Sequence, residues 1–239
     1  MIPLRDSAPV RSWPVVTYAL IAVNLWAFFY ELAMGSALRG FIETWGFIPA
    51  RYFLLAELDP DNWVARWLPV FTSMFLHGGW THLIGNMVYL WIFGDNVEDR
   101  LGHLRYLVFY LATGASASLA HAFLHPASAI PTVGASGAIS GVLGAFLILF
   151  PRARVLTLIP LVFLFFYVVE LPAALYLGLW FLMQLVSGTL ALALAGDAGA
   201  GGVAWWAHVG GFAVGAALAP LLQRRWSYPR VWRDQYAPW

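Results

Sequence analysis

The chain has 239 residues, 61% of them hydrophobic and only 10% charged, and its 13 basic residues, all arginine, nearly balance 12 acidic ones for a net charge of +1. With a mean hydropathy of +0.73, this composition excludes an ordinary soluble domain. It predicts an all-α integral membrane protein, one bundle of about six spans at ~20 residues each with no separate soluble domain. The absence of cysteine removes disulfides and thiolate metal sites.

Residues 1–14 show no cleavable signal pattern, because the apolar stretch behind them is too long and lacks a small-residue cleavage site; 15–34 therefore reads as a first span. Further spans are predicted at 78–92, 103–122, 134–150, 172–195 and 204–222. Loop 35–68 contains Trp45, Phe47, Tyr52, Phe53, Trp63 and Trp67, rings that favour the membrane interface, so it is expected to lie in the outer leaflet. The apolar run 155–169 is broken by Pro160 and closed by Glu170 and Pro172, and by composition alone could be a seventh span or an interfacial segment. The Gly/Ala-rich stretch 196–202 reads as a flexible cap.

Arginine placement separates these options, since short cytoplasmic loops are enriched in basic residues. Arg5, Arg11, Arg100, Arg105, Arg152, Arg154, Arg224, Arg225, Arg230 and Arg233 all fall on one side if six spans cross. A seventh crossing would move the last four to the other face. Both termini are thus expected in the cytoplasm, with residues 155–170 a non-spanning hydrophobic loop, and the tail arginines against anionic headgroups.

In that topology the second, fourth and sixth spans all descend from the outer face. Their first turns carry His82 and Asn86, then Ser136, then His208, four polar side chains at one depth of the membrane. Polar groups inside a bilayer are costly and usually face the bundle interior, which makes this layer a candidate site. His82 and Asn86, four apart, share a helix face, whereas His77 and His82 do not on a regular helix. His208 lies on a stripe with Gly211, Gly215 and Ala219, and Ser136 on one with Ser140 and Gly144; small residues let helix backbones approach closely.

The chemistry this permits is acyl transfer. Ser136 would be the nucleophile and His208 its general base, with the Ser136 backbone N–H, His82 and Asn86 as oxyanion donors. No acidic residue stands near His208 in sequence except Asp197 in the loop, so a two-residue dyad is expected rather than a triad.

Four strings now carry a resemblance: His77-Gly-Gly-Trp-Thr-His82-Leu-Ile-Gly-Asn86, Glu98-Asp-Arg-Leu-Gly102, Gly134-Ala-Ser136-Gly137 and His208-Val-Gly-Gly211-Phe-Ala-Val-Gly215. In this order the chain resembles the rhomboid family of intramembrane serine proteases. The resemblance implies a six-helix core, a Ser136/His208 dyad, His82 and Asn86 as oxyanion partners, and a membrane-embedded first outer loop. It implies no cofactor. It also implies cleavage of substrate transmembrane segments near their outer ends, at small residues flanked by helix-destabilising ones. Many members carry a tyrosine four residues after the serine, packed on the catalytic histidine; this chain has Ser140 there.

Blander readings compete at single positions. Gly-Ala-Ser-Gly alone suits a small-residue helix contact, and only the company of His208, His82 and Asn86 favours a nucleophile. His77 is expected to serve structurally at a helix entry, while Gly134, Gly137, Gly211 and Gly215 are read as packing positions. His121 and His125 read as a solvated pair; the His-Glu-x-x-His signature is absent and no metal site is expected. Glu98, Asp99 and Arg100 read as a solvated loop. The expected partners are single-pass or multi-pass membrane-protein substrates and the lipid bilayer, with no nucleic acid, and the expected location is a prokaryotic plasma (inner) membrane. The rival functions are a non-catalytic client-binding module on the same fold, and a histidine-lined metal or proton transporter. The second requires ionisable groups spread through the membrane depth.

Overall fold

The computed structural model describes residues 1–160, 166–194 and 203–224; the cap read at 196–202, the middle of the hydrophobic loop and the tail with Arg225, Arg230 and Arg233 lie outside the described residues. In chain order the elements are β1 (Ile2–Asp6), α1 (Val15–Ala33), α2 (Leu38–Trp45), α3 (Pro49–Leu58), α4 (Trp63–Thr72), α5 (Trp80–Leu101), α6 (His103–Leu124), α7 (Ser136–Leu149), β2 (Arg154–Pro160), β3 (Phe166–Pro172), α8 (Ala173–Leu194) and α9 (Trp205–Leu222). Pro14 and Pro172, which cannot continue a helix from the preceding turn, stand at the entries to α1 and α8. Gly102, at φ +83, turns the chain between α5 and α6.

Among the described residues four helices are long and apolar enough to cross a membrane: α1, α6, α8 and α9. The six predicted spans thus divide. The 14 residues of α7 make about 21 Å of helix, short of a ~30 Å hydrocarbon core. The 22-residue α5 is long enough, but its last two turns carry Asp95, Asn96, Glu98, Asp99 and Arg100.

The chain is mostly helical but not all-α. The hydrophobic loop is an antiparallel hairpin, Arg154↔Pro172 through Pro160↔Phe166, and β1 adds to its free side from Ile2↔Leu158 to Asp6↔Val155, giving a sheet of order β1-β2-β3. Branched and aromatic residues suit a pleated surface, and Pro160 and Pro172 bar a continuous helix. The loop before α5 is folded rather than extended: Phe47, Tyr52, Val70 and Ala122 form a small second core, with the Tyr52 ring 5.4 Å edge-on to Trp67.

Glu98 and Asp99 are not in a solvated loop. Both are buried in the last turns of α5. Glu98 accepts the Val16 N–H (2.9 Å), the Thr17 N–H (2.7 Å) and the Thr17 hydroxyl (2.7 Å). It therefore caps α1, whose own N-cap residue, Pro14, makes no side-chain cap, and places negative charge at the positive end of that helix. Asp99 accepts from the Ser12 N–H (3.0 Å) and hydroxyl (2.6 Å), and Asn96 Nδ2 donates to the Ala8 carbonyl (3.0 Å). The polar end of α5 thus anchors the whole segment ahead of α1.

At the centre stands α7, nearly every residue of it buried. A Cβ at Gly211 would strike the Gly137 carbonyl, at Gly215 the Gly141 carbonyl, and at Gly144 the Phe212 carbonyl. The backbones of α7 and α9 are therefore in direct contact.

The helix packing and the buried carboxyl of β1 each yield a test. Gly215→Val must push α7 and α9 apart, at a cost in the ~1–3 kcal/mol overpacking range or above, seen as a lower melting temperature in detergent. Gly178→Ala, where added carbon meets open space, should be neutral or stabilising. The second concerns Asp6, whose carboxylate accepts the Ala8 N–H at 2.7 Å. Burial, with the nearby Asp95 charge adding to it, pushes its carboxyl up to about 7. The folded state then holds a proton that the unfolded chain releases near pH 4, so stability falls as pH rises from about 4 to about 7. Asp6→Asn should flatten that slope and melt higher than wild type at pH 8; parallel curves for the two proteins would refute the assignment.

Candidate active site

Ser136 opens α7, and the loop that delivers it is narrowly constrained. Gly134 has φ +126, a conformation L side chains rarely adopt, and an added Cβ would lie 2.6 Å from His82 Nε2. Its N–H donates to the Ser73 carbonyl at 2.9 Å, tying the loop to the short turn ahead of α5. Ser136 consequently sits at a helix N-terminus, where first-turn N–H groups have no intrahelical acceptor and the dipole favours negative charge.

His208 lies in the first turns of α9, and its Nε2 is 2.8 Å from Ser136 Oγ. The glycine contact explains how side chains 72 positions apart meet: Gly137 and Gly211 touch, one residue beyond Ser136 and three beyond His208. On its other side His208 Nδ1 is 2.8 Å from Gln184 Oε1, in α8. The ring of Trp180 lies 6.0 Å from the imidazole, and that of Trp205 lies 6.4 Å away at 88°. Ser140 takes no part in this. Its hydroxyl donates to the Ser136 carbonyl at 2.6 Å, so indoles occupy the flanks of the imidazole.

From α5, His82 reaches the Gly134 turn and Asn86 lies a turn deeper. Asn86 Nδ2 donates to His77 Nε2 at 3.0 Å, leaving its second N–H for the cavity. His77 precedes the helix, so the five-residue spacing does not separate the two imidazoles; their rings meet edge-on at 5.1 Å. The His77 backbone N–H donates to the Glu31 carboxylate (3.1 and 3.3 Å). Gly134 and Gly137 shape the Ser136 turn, while Gly211 and Gly215 set the helix contact.

Ser136, His208, His82, Asn86, Trp180 and Trp205 line one cavity of about 650 Å³ between α5, α6, α7, α8 and α9. Tyr89 also lines it, with its hydroxyl 2.8 Å from that of Tyr176 in α8. His121 and His125 also border it, rings stacked at 4.6 Å; they are half-buried rather than fully solvated. Among the described residues no three His, Cys, Asp or Glu side chains are grouped to hold a metal ion.

Sequence reasoning missed Gln184, Trp180 and Trp205. Gln184 carried a usable signal, an amide inside a predicted span. The two indoles carried none, since aromatic residues are frequent throughout this chain.

Residues 64–225 match the sequence model of the Rhomboid domain. The chain belongs to the rhomboid family. It is 36% identical over 135 residues to Rhomboid protease GluP of Bacillus subtilis, covering 56% of this chain and 24% of that protein. It is 30% identical over 145 residues to the mitochondrial Rhomboid protein 1 of Saccharomyces cerevisiae, covering 59% and 38%. To the chloroplastic Rhomboid-like protein 11 of Arabidopsis thaliana it is 40% identical over 75 residues, covering 31% and 26%. The chain thus spans well under half the length of each of these relatives. In this rhomboid the matched region contains every residue placed around the cavity.

The Gly134 turn yields a direct test. Gly134→Ala combines backbone strain of about 1–3 kcal/mol with a collision against His82, so the variant should melt several degrees below wild type in detergent; an unchanged melting temperature would refute the constraint.

Proposed function

We propose that this rhomboid is a membrane-embedded serine endopeptidase that hydrolyses peptide bonds in or near transmembrane segments of other membrane proteins, single-pass or multi-pass. The observation that carries the reading is the 2.8 Å contact between Ser136 Oγ and His208 Nε2 at a helix N-terminus. Ser136 donates its proton to Nε2 as Oγ bonds the scissile carbonyl carbon, and the carbonyl electron pair moves onto oxygen. The oxyanion is met by the Ser136 N–H, His82 and Asn86. Collapse of the adduct breaks the C–N bond, and the imidazolium returns the proton to the leaving amine. Water, deprotonated by the same Nε2, then releases the acyl group and restores Ser136.

In this reading α1, α5, α6, α7, α8 and α9 form the six-span core of a single domain over 1–239, with both termini and the β-sheet on the cytoplasmic side. Support comes from the arginine distribution and from the burial of the polar end of α5, whose charges cap α1 instead of facing lipid. The short α7 then begins below the membrane surface, where water can enter the cavity. The proposed location is a prokaryotic plasma membrane. A C-terminal reporter found outside the cell would overturn this orientation.

The rival reading, a client-binding module without catalysis, is disfavoured by a serine and a histidine held at hydrogen-bond distance. In liposomes carrying a model transmembrane substrate, Ser136→Ala and His208→Ala should each reduce cleavage by roughly a thousandfold or more. His82→Ala or Asn86→Ala should cost about 10²-fold in kcat. Unchanged cleavage in either dyad variant, or fluorophosphonate labelling that survives Ser136→Ala, would sink the proposal.

A further inference from the structure

We infer that Gln184 is a positioning residue that selects the reactive tautomer of His208; the inference rests on the Ser136/His208 reading above. Three groups stand in relay: Gln184 Oε1 is 2.8 Å from His208 Nδ1, and His208 Nε2 is 2.8 Å from Ser136 Oγ. A neutral imidazole has one N–H and one lone pair, and the partner of one nitrogen decides which nitrogen keeps the proton. As a general base toward Ser136, His208 must carry its proton on Nδ1. The amide oxygen of Gln184 accepts that proton's hydrogen bond and leaves the Nε2 lone pair facing the serine hydroxyl. Turned over, the same amide would donate to Nδ1, put the proton on Nε2, and leave Ser136 without a base.

The surroundings make this a built contact. Gln184 is only 3% exposed and His208 9%, so water is a poor substitute for either. Gln184 lies one helical turn beyond Trp180, and residues four apart share a face. From that face α8 therefore supplies both the amide at Nδ1 and the indole beside the ring. The Thr189 hydroxyl, a further polar group on α8, is satisfied by carbonyls of its own helix at 2.9 Å. Ser140, at the position where the family resemblance leads one to look for imidazole support, is committed to the Ser136 carbonyl. A neutral amide also suits a membrane interior. A carboxylate there would direct the same tautomer but would carry the desolvation cost of a buried charge.

The full-length protein in liposomes with a model transmembrane substrate tests this, using Ser136→Ala as the inactive reference. Gln184→Leu should lower kcat by roughly 10–100-fold with KM within about twofold, the loss of one buried hydrogen bond plus a mixed tautomer population. Gln184→Glu, which can only accept from Nδ1–H, should retain cleavage at alkaline pH. It should also move the acid limb of the kcat/KM profile to higher pH, because a carboxylate favours the protonated, non-basic imidazole. Independently of turnover, ¹⁵N spectra of labelled histidine in the Ser136→Ala background should show His208 protonated at Nδ1 with Gln184 and mixed with Leu at 184. Unchanged kcat in Gln184→Leu, equal loss in the Leu and Glu variants, or an Nε2-protonated His208 would each overturn the inference. Cleavage that survives Ser136→Ala would instead defeat the underlying dyad, a distinguishable outcome.

Discussion

α7 and α9 meet backbone to backbone, and the geometry around Ser136 depends on that contact. At Gly211, Gly215 and Gly144 any side-chain carbon would occupy the space of a carbonyl oxygen on the facing helix. In lipid there is no hydrophobic gain from bringing two apolar helices together, so close approach must be earned through dispersion contacts and polar links. The glycines supply the first and the Ser136–His208 hydrogen bond the second. Neither is independent: a wider helix separation would lengthen the 2.8 Å contact by as much as it relieved the backbones.

Around that pair the fold is organised by two ends of opposite character. At the cavity end, polar groups from α5, α7, α8 and α9 face inward and leave an open volume. At the sheet end, Glu98 and Asp99 accept from backbone and hydroxyl donors of residues 12–17, and Asn96 donates to the Ala8 carbonyl. Helix α5 spans both regimes, which is why its composition is mixed where a membrane helix is usually uniform. Its N-terminal half presents His82 and Asn86 to the cavity and its C-terminal half caps a neighbour.

What could be read from the chain follows the same division. Most helix positions were legible because apolar runs are bounded by Pro14, Gly134 and Pro172, while α5 runs on to Leu101, past the predicted end at 92. The meeting of Ser136 and His208 was legible because the two residues stand at the starts of two glycine-striped segments. The sheet was not, since β1 is five residues with Pro3, Arg5 and Asp6 among them, and its strand character comes only from β2. Glu98 was misread for a related reason: a carboxylate beside Asp99 and Arg100 looks solvated until the α1 N–H groups it serves are brought to it. Gln184 was overlooked because hydropathy averages submerge one amide in twenty apolar neighbours, although a polar side chain in that setting is the informative residue.

The β1–β2 ladder also imposes an order in time. Residues 2–6 pair with 155–158, so the strand emerges from the ribosome with its partner still about 150 residues away, roughly 8–30 s at typical synthesis rates of about 5–20 residues per second. Open backbone N–H and C=O groups are not tolerated in hydrocarbon. The strand must therefore wait in water or among headgroups while the chain from α1 through α7 is synthesised. Docking of this short segment is accordingly one of the last long-range closures in assembly, and a lesion there would register as slow maturation of the protein before it registered as a defect at the cavity.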